Sequence, residues 1–245
     1  MSLQRTVLMA WALMFACIGP AVAGPYYLLD MEGAEVAPDS LYEGTKRYRL
    51  RLEGGSTLPR IRRDAQRRST VLELSTGPTP RGTGHDRAEV QLYGNLTYDK
   101  PWFVGLRLMV PQGTAAPRDW QIMLQCHQNG TSLPPPLSLD LEPDGTLALI
   151  ARNEADRFET LWSAPVRQGR WMRIELGMQM GPRGRVQLWL DGRRQVDIAR
   201  PLGWATGDAA CAVKTGIYRA ASRQPFTMYL DDVMLGDTRA DVVAR

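Results

Sequence analysis

Short runs in which apolar and polar residues alternate fill most of the chain after its first two dozen residues. Successive side chains of a β-strand point to opposite faces, so a period of two is typical of strands that bury one face. Clusters of Gly, Pro, Asn and Asp separate the runs, and "PDG" and "LDG" indicate hairpin turns. Helical periodicity is nearly absent. The pattern therefore predicts an all-β fold, a β-jelly roll in which two antiparallel sheets pack as a sandwich. Examples of the runs are "YRLRLEG", "STVLELSTG", "RAEVQLYG", "WFVGLRLMVP", "LSLDLEPDG", "LALIARN", "RWMRIELGMQM" and "RVQLWLDGR".

The first 23 residues follow a different pattern. Arg5 precedes the apolar run "VLMAWALMFACIG", and "AVA" (Ala21 to Ala23) then supplies small residues at a cleavage site. This arrangement predicts a signal peptide removed after Ala23, and it is too short for a membrane span. A lipoprotein acylated at Cys17 is the alternative, which the bulky Phe of "MFAC" disfavours. We expect a periplasmic or secreted protein without a membrane span.

Residues 24–245 are expected to form one domain, because they show neither a low-complexity linker nor an internal repeat. The segment "SLPPPLSL" is interpreted as an ordered loop at the entrance of a strand, and a monomer is expected. Two cysteines remain after removal of the signal peptide, Cys126 and Cys211. In an oxidising compartment they could form a disulfide; the alternative is two buried thiols.

Basic residues outnumber acidic ones, 30 to 26, and the pI is about 9.1. With export, this charge indicates an anionic extracellular partner. A polyanionic sugar fits better than nucleic acid, because the sequence has no helix-turn-helix, zinc-finger or RNA-binding signature. The cluster "RIRRDAQRR" (Arg60 to Arg68) could contact such a polymer, but a solvated loop or hairpin edge is the preferred interpretation. Lysine is scarce and occurs at positions 46, 100 and 214.

Three predicted strands carry polar side chains that would share one face of a sheet. They are "DRAEVQL" with Arg87, Glu89 and Gln91, "LQCHQ" with Gln125 and His127, and "CAVKTGIYR" with Lys214, Gly216 and Tyr218. A polar face on a single strand is ordinary for a solvated sheet. The combination of an imidazole, a phenol, an amide, an arginine and a scarce lysine instead predicts a site. A glycine inside a strand often marks a close approach by a ligand, so Gly216 is expected to leave room for a sugar ring.

These three strands resemble, in the same order, the R-x-E, Q-x-H and K-x-G-x-Y strands of alginate-lyase-like and heparin-lyase-I-like polysaccharide lyases. The matching residues are "RAE" (Arg87 to Glu89), "QCH" (Gln125 to His127) and "KTGIY" (Lys214 to Tyr218). The closing "FTMYLDDVMLG" is similar to the last strand of concanavalin A-like jelly rolls. The resemblance extends from about Tyr26 to Gly236 and implies cleavage of a uronate-containing polysaccharide by β-elimination.

The resemblance also implies roles for the site residues. Gln125 and Arg87 would neutralise the uronate carboxylate, His127 would remove the C5 proton, and Tyr218 would protonate the departing oxygen. Depending on the uronate epimer, Tyr218 could serve both as acid and as base. Arginine suits a carboxylate because it can form two parallel hydrogen bonds with it. The chemistry requires neither a metal nor another cofactor.

Other polar residues are expected to bind substrate: Lys214, Glu89, Gln91, Arg219 and His85. Lys214 would bind the polymer or lower the pKa of the Tyr218 phenol. His85 is interpreted as a surface or rim residue and as the alternative base if His127 proves buried. Gln91 and "YRA" replace an arginine and an Asn-Gln pair that are usual in alginate lyases, and these differences favour the heparin-lyase-I-like or glucuronan-type branch.

Two rival functions use other residues. "EADRFE" (Glu154 to Glu159) has the carboxylate spacing of jelly-roll glycoside hydrolases, but Arg157 interrupts it and the segment is typical of a hairpin tip. A non-catalytic carbohydrate-binding module could stack sugars on tryptophans, although most of these are expected in the core. The tryptophans concerned are 102, 120, 162, 171, 189 and 204.

Overall fold

The computed structural model describes residues 26–153 and 157–243. Within these residues it contains 17 strands and one short helix. In chain order they are β1 (Tyr27–Leu29), β2 (Glu35–Ala37), β3 (Ser40–Glu43), β4 (Lys46–Glu53), β5 (Arg60–Asp64), β6 (Ser69–Thr76), β7 (His85–Thr97), β8 (Trp102–Met109), β9 (Gln121–Gln128), β10 (Leu137–Leu141), β11 (Thr146–Asn153), β12 (Arg157–Pro165), β13 (Met172–Gln179), β14 (Arg185–Leu190), β15 (Arg193–Ala199), β16 (Ala210–Ala220), β17 (Phe226–Gly236) and α1 (Arg239–Val242). The predicted signal peptide, with Cys17, lies outside the described residues. In the described ranges, no helix is both long and apolar enough to cross a membrane.

The strands form two antiparallel sheets, as the alternating pattern predicts. The eight-stranded sheet has the order β15-β14-β13-β8-β17-β6-β5, with β1 paired to β17. The nine-stranded sheet has the order β12-β11-β10-β9-β16-β7-β4-β3-β2. The all-β jelly-roll prediction is therefore confirmed.

The core lies between the two sheets. Ala88 and Val90 of β7 and Leu124 of β9 contribute to it from the nine-stranded sheet, and Leu72 and Leu74 of β6 from the eight-stranded sheet; all five are buried. Burial of apolar surface contributes about 25 cal/mol per Å². The strands therefore direct their apolar faces inward and leave their polar faces on the outside of the sandwich.

Hairpin turns occur where "PDG" and "LDG" predict them. Asp191 and Gly192 connect β14 to β15 with φ values of 50° and 79°. Two successive positive φ angles are typical of a type I′ turn, whose twist suits a two-residue hairpin. Gly145, with φ of 80°, lies between β10 and β11.

The arginine cluster forms an edge strand and a turn. Arg60 and Arg63 are exposed on β5, which pairs with β6 at the end of the sheet order. Arg62 donates to Glu73 and lies over the ring of Tyr229. The cluster thus belongs to a hairpin edge of the eight-stranded sheet, as the preferred interpretation has it.

A disulfide joins Cys126 of β9 to Cys211 of β16, with 5.6 Å between the two Cα atoms. Both residues are buried in the core, 2% and 1% exposed. The bond therefore cross-links, on the inner face of the nine-stranded sheet, two of the strands that carry the candidate site residues on its outer face.

Candidate active-site cleft

The three strands with polar faces are neighbours in the nine-stranded sheet, in the order β9-β16-β7. Tyr218 pairs with Arg87, and Lys214 lies between Gln91 on one side and Gln125 on the other. The fold therefore brings together residues that are more than 130 positions apart in the chain. One face of the sheet holds them.

Glu89 lies at the centre of a buried polar cluster. It is 0% exposed and accepts a hydrogen bond of 2.6 Å from the Gln125 amide. The Arg87 guanidinium lies 3.5 Å from its second oxygen. Burial raises the pKa of Glu89, and Gln125, Arg87 and Lys214 oppose this effect. Glu89 is therefore placed to orient its neighbours, and its expected assignment to substrate binding is corrected, because a fully buried carboxylate is not accessible to a ligand.

Three side chains surround the ring of Tyr218. The Arg87 guanidinium lies 4.0 Å from the ring centroid, in cation–π geometry. His85 and Trp120 meet the ring edge-on, at centroid distances of 5.5 and 5.0 Å. These contacts restrict the rotamers of Tyr218, whose side chain is half-buried.

His85, besides its contact with the Tyr218 ring, is linked to a carboxylate of the polar face. Its Nε2 lies 2.5 Å from Glu53, a carboxylate that also bonds to Arg51 and lies 3.3 Å from Arg87. The sequence interpretation places His85 at the rim. The structure adds that its ring contacts Tyr218.

His127 is half-buried, and its ring Nδ1 lies 2.9 Å from the carbonyl oxygen of Gln128. A carbonyl only accepts, so Nδ1 carries the proton and the neutral ring has its lone pair at Nε2. Burial lowers the pKa of His127, and the positive charge of Lys214 lowers it further. The imidazole is therefore neutral, and able to accept a proton, at neutral pH.

His127 and Tyr218 line a common cavity of about 370 Å³, which we call the cleft. Trp120 and Ile122 line it beside Tyr218. The proline-rich loop before β10, residues 132–135, forms another part of its wall. The ordered loop predicted for "SLPPPLSL" thus contributes to the site.

Gly216 differs from its sequence interpretation. Its φ is 139°, and a Cβ atom there would lie 2.3 Å from the Ala88 carbonyl oxygen and 2.8 Å from the Glu89 Cα. Between Thr215 and Tyr218 the register with β9 also shifts. The glycine is thus required by a bulge and by the close backbone of β7, not by a hollow for a sugar ring.

Arg219 does not share the face of Tyr218, and its assignment to substrate binding is corrected. Its side chain is 3% exposed and donates at 3.0 Å to Asp86, which is fully buried. It also donates to the carbonyl oxygens of Gly77 and Gln224. Alternation along β16 explains the difference, because adjacent residues point to opposite faces.

Several residues at the site were not found by sequence reasoning. Arg49 and Arg51 of β4 pair with Gln91 and Glu89, so they extend the polar face of the sheet. The alternation in "YRLRLEG" could have indicated Arg49 and Arg51, because both lie on the polar face of that run. Trp120, one of six tryptophans of which most were expected in the core, is 40% exposed and lines the cleft.

Asp140, Arg152 and Phe158 also line the cleft, from β10, β11 and β12. Burial raises the pKa of Asp140 to about 6 despite its ion pair of 3.1 Å with Arg152. The sequence pattern does not assign these three residues to the site, because the strand order brings them to His127.

The segment that carries the rival hydrolase residues lies partly outside the described residues. Glu154 and the side chain of Arg157 are outside the described residues. Glu159 is exposed and pairs with Arg200, and it does not line the cleft. Within residues 26–153 and 157–243, no group of three His, Cys, Asp or Glu side chains could hold a metal ion.

Comparison with solved structures supports the fold assignment. An endo-β-1,4-glucuronan lyase from the fungus Trichoderma reesei superposes with a TM-score of 0.68 at 15% identity, covering 89% of this chain and 98% of that one. Alginate lyase A1-II′, a member of polysaccharide lyase family 7, gives 0.55 at 14% identity, with coverages of 77% and 93%. The cellulose induced protein Cip1 gives 0.56 at 13%, with coverages of 80% and 94%.

Sequence comparison assigns the family. No curated protein matches the chain. The sequence model described as "Polysaccharide lyase", however, matches residues 32–234, which is most of the chain and includes all three strands of the site. The carbohydrate-binding and hydrolase alternatives are thereby disfavoured, and the chain belongs to the polysaccharide lyase family.

Proposed function

We propose that this polysaccharide lyase cleaves a uronate polymer by β-elimination, with His127 as base and Tyr218 as acid. The observation that carries the proposal is that both side chains line one cleft, beside a cluster of polar groups that can neutralise a carboxylate. His127 has a lowered pKa and its Nε2 lone pair is available, which suits proton removal at neutral pH.

In the proposed step, Nε2 of His127 takes the proton from C5 of the uronate. Electrons of the C5–H bond form the C4=C5 double bond, and the bond between C4 and the leaving oxygen breaks. The Tyr218 hydroxyl protonates that oxygen. One chain becomes two, and the new non-reducing end is an unsaturated uronate.

Negative charge builds on the uronate carboxylate as the C5 proton leaves, so fixed donors near it lower the barrier. Arg87 and Gln125 are the proposed donors, with Lys214 adding positive charge. Arg87 is the more accessible of the two donors, since its side chain is 12% exposed whereas Gln125 is 1% exposed. Glu89 holds both in place.

Glucuronan is the substrate proposed first. The similarity to a glucuronan lyase, together with Gln91 and "YRA" in place of residues usual in alginate lyases, supports this choice. Alginate and heparin-like polymers are the alternatives. We further propose that the active form is an exported monomer of residues 24–245, which mass measurement of the secreted protein would test.

The experiment that tests the mechanism compares Tyr218→Phe and His127→Ala with the wild type on a panel of these polymers. Unsaturated uronate ends are followed by ultraviolet absorbance. Each variant should lower kcat by about 10²- to 10⁴-fold, because each removes one proton-transfer group. Tyr229→Phe, on β17 of the other sheet, is the matched control and should keep full activity.

Other outcomes would overturn the proposal. Full activity of either site variant contradicts the role given to that residue. New reducing ends without the absorbance of an unsaturated product would indicate hydrolysis. Polymer binding with neither product would indicate a binding module.

A further inference from the structure

Phe158 is an exposed aromatic residue in the wall of the cleft. Its exposed fraction is 63%, although most large apolar side chains of the described strands face the core. It lines the cavity that also contains His127 and Tyr218. Exposing a phenylalanine forfeits the free energy that burial would contribute, so its position at the cleft calls for a partner that covers it.

A buried arginine supports one side of this ring. The Arg152 guanidinium lies 4.8 Å from the Phe158 ring centroid, and its side chain is 6% exposed. The guanidinium donates to three acceptors. They are the Pro135 carbonyl oxygen at 3.0 Å, the Ser138 hydroxyl at 2.6 Å and Asp140 at 3.1 Å.

These contacts make the ring a rigid and uncharged surface. Arg152 is held from three directions, so Phe158 stacks on a support that cannot easily move. The carboxylate of Asp140 balances the positive charge of Arg152. The pair therefore does not by itself attract an anionic group, and what the cleft offers at this end is the apolar face of an aromatic ring.

We propose that Phe158 is a stacking platform for a pyranose ring of the polymer, at the subsite next to the uronate that is cut. The hydrogen-bearing face of a pyranose is apolar and packs on the negative π face of an aromatic ring, while its hydroxyls and carboxylate stay at the edge in water. Phe158 would contribute to affinity by stacking on the pyranose ring. The polar residues near Tyr218 would contribute to affinity by binding the uronate carboxylate. This inference rests on the proposed function, because it takes the occupant to be the same polymer.

The test measures affinity as well as turnover. Phe158→Ala should raise KM for the polymer about tenfold, and leave kcat within about a factor of three, because stacking acts on bound substrate before and during the reaction alike. Phe158→Tyr keeps the ring and should restore the wild-type KM. Leu58→Ala is the matched control, since Leu58 is 47% exposed and does not line the cleft.

A second measurement uses a series of oligomers of increasing length to test whether Phe158 binds a distinct sugar unit. In the wild type, kcat/KM should rise at the length that first reaches Phe158, and in Phe158→Ala that increment should disappear. An unchanged KM and an unchanged length series in Phe158→Ala would overturn the proposal.

Binding of glucuronan, alginate and heparin by Tyr218→Phe, with and without Phe158→Ala, separates this inference from the catalytic one. If the wild type produces no unsaturated ends but Phe158→Ala still weakens binding, the proposed reaction is wrong and the platform stands. If the wild type is active and Phe158→Ala binds normally, the platform is wrong and the reaction stands. Absence of both binding and activity would overturn both.

Discussion

At the scale of single residues, the charge of Lys214 controls the neighbouring groups of the site. Lys214 is 8% exposed, and burial lowers its pKa while the buried Glu89 opposes that effect. Its positive charge, after burial, is the second cause that lowers the pKa of His127. A lysine placed here thus favours the neutral form of the imidazole, in addition to its proposed part in attracting an anionic substrate.

Replacing this charge should shift the pH profile. If His127 is the base, as proposed, its protonation abolishes activity, and the acidic limb of kcat/KM is expected below the ordinary histidine pKa of about 6.5. In Lys214→Met one cause of the low pKa is gone, the pKa of His127 rises, and the acidic limb should move to higher pH. The pH profile measures this, and an NMR titration of the two histidines of the chain checks the assignment.

Lys100→Met is the matched control, because Lys100 pairs with Asp237 and stacks on Trp102, away from the cleft. In Lys100→Met, the acidic limb of the kcat/KM profile should lie at the same pH as in the wild type. If the limb of Lys214→Met does not move, Lys214 does not set the protonation of His127.

At the scale of elements, two irregularities in adjacent strands shape the site. Met123 is an extra residue in β9, where the register with β10 passes from Leu124 directly to Ile122. The alternation of β9 is interrupted there, and Ile122 faces the cleft although Leu124, two residues on, faces the core. The bulge at Gly216 shifts the register of β16 against β9 in the same region. As a result, Tyr218 pairs with Ile122.

The disulfide between the same two strands should contribute mainly to stability. It closes a loop with a sequence separation of 85 residues, and cross-links of this size typically contribute about 3–5 kcal/mol. The double variant Cys126→Ala/Cys211→Ala should lose that much free energy of unfolding in urea. Its kcat at a temperature where it stays folded should be unchanged, because the hydrogen-bonded ladder still aligns β9 with β16.

Reduced wild-type protein is the control, and it should unfold at nearly the same urea concentration as the double variant. Equal stability of the oxidised protein and the double variant would show that the disulfide does not constrain the unfolded chain.

At the scale of the whole molecule, positive charge is distributed over both sheets, and part of it lies beside the proposed substrate site of the nine-stranded sheet. The net charge is +4, and Arg49 and Arg51 on β4 lie beside the polar face of β7. Arg49 is exposed, whereas Arg51 bonds to Glu53. Long-range attraction of an anionic polymer should therefore depend on these arginines more than on the cluster at the β5 edge.

Salt should weaken substrate binding. Raising NaCl from about 0.05 M to 0.5 M shortens the screening length to about 4 Å and should raise KM about three- to tenfold while kcat changes little. Arg49→Gln should reduce this salt dependence, and Arg60→Gln, a matched change on the other sheet, should not. An equal effect of the two variants would mean that only net charge matters.

The alternation of side chains was enough to predict the sandwich and the facing of Arg87, Gln125, His127 and Tyr218, and the Asp-Gly pairs of "PDG" and "LDG" predicted the hairpin turns. These features are local, because the direction of a side chain on a regular strand depends only on its position in that strand. The motif order then identified the family, since "RAE", "QCH" and "KTGIY" carry its pattern in the sequence itself.

Other features of the site depend on the order of the strands and on breaks in their regularity. Trp120, Asp140, Arg152 and Phe158 reach the cleft through the strand order and the β9 bulge, which no local pattern encodes. Gly216 has its role because the backbone of β7 approaches it. Arg219 turned inward because a buried Asp86 meets it there. Pairing between strands distant in sequence brings such residues together, and its free energy comes from contacts that exist only once the two sheets have packed.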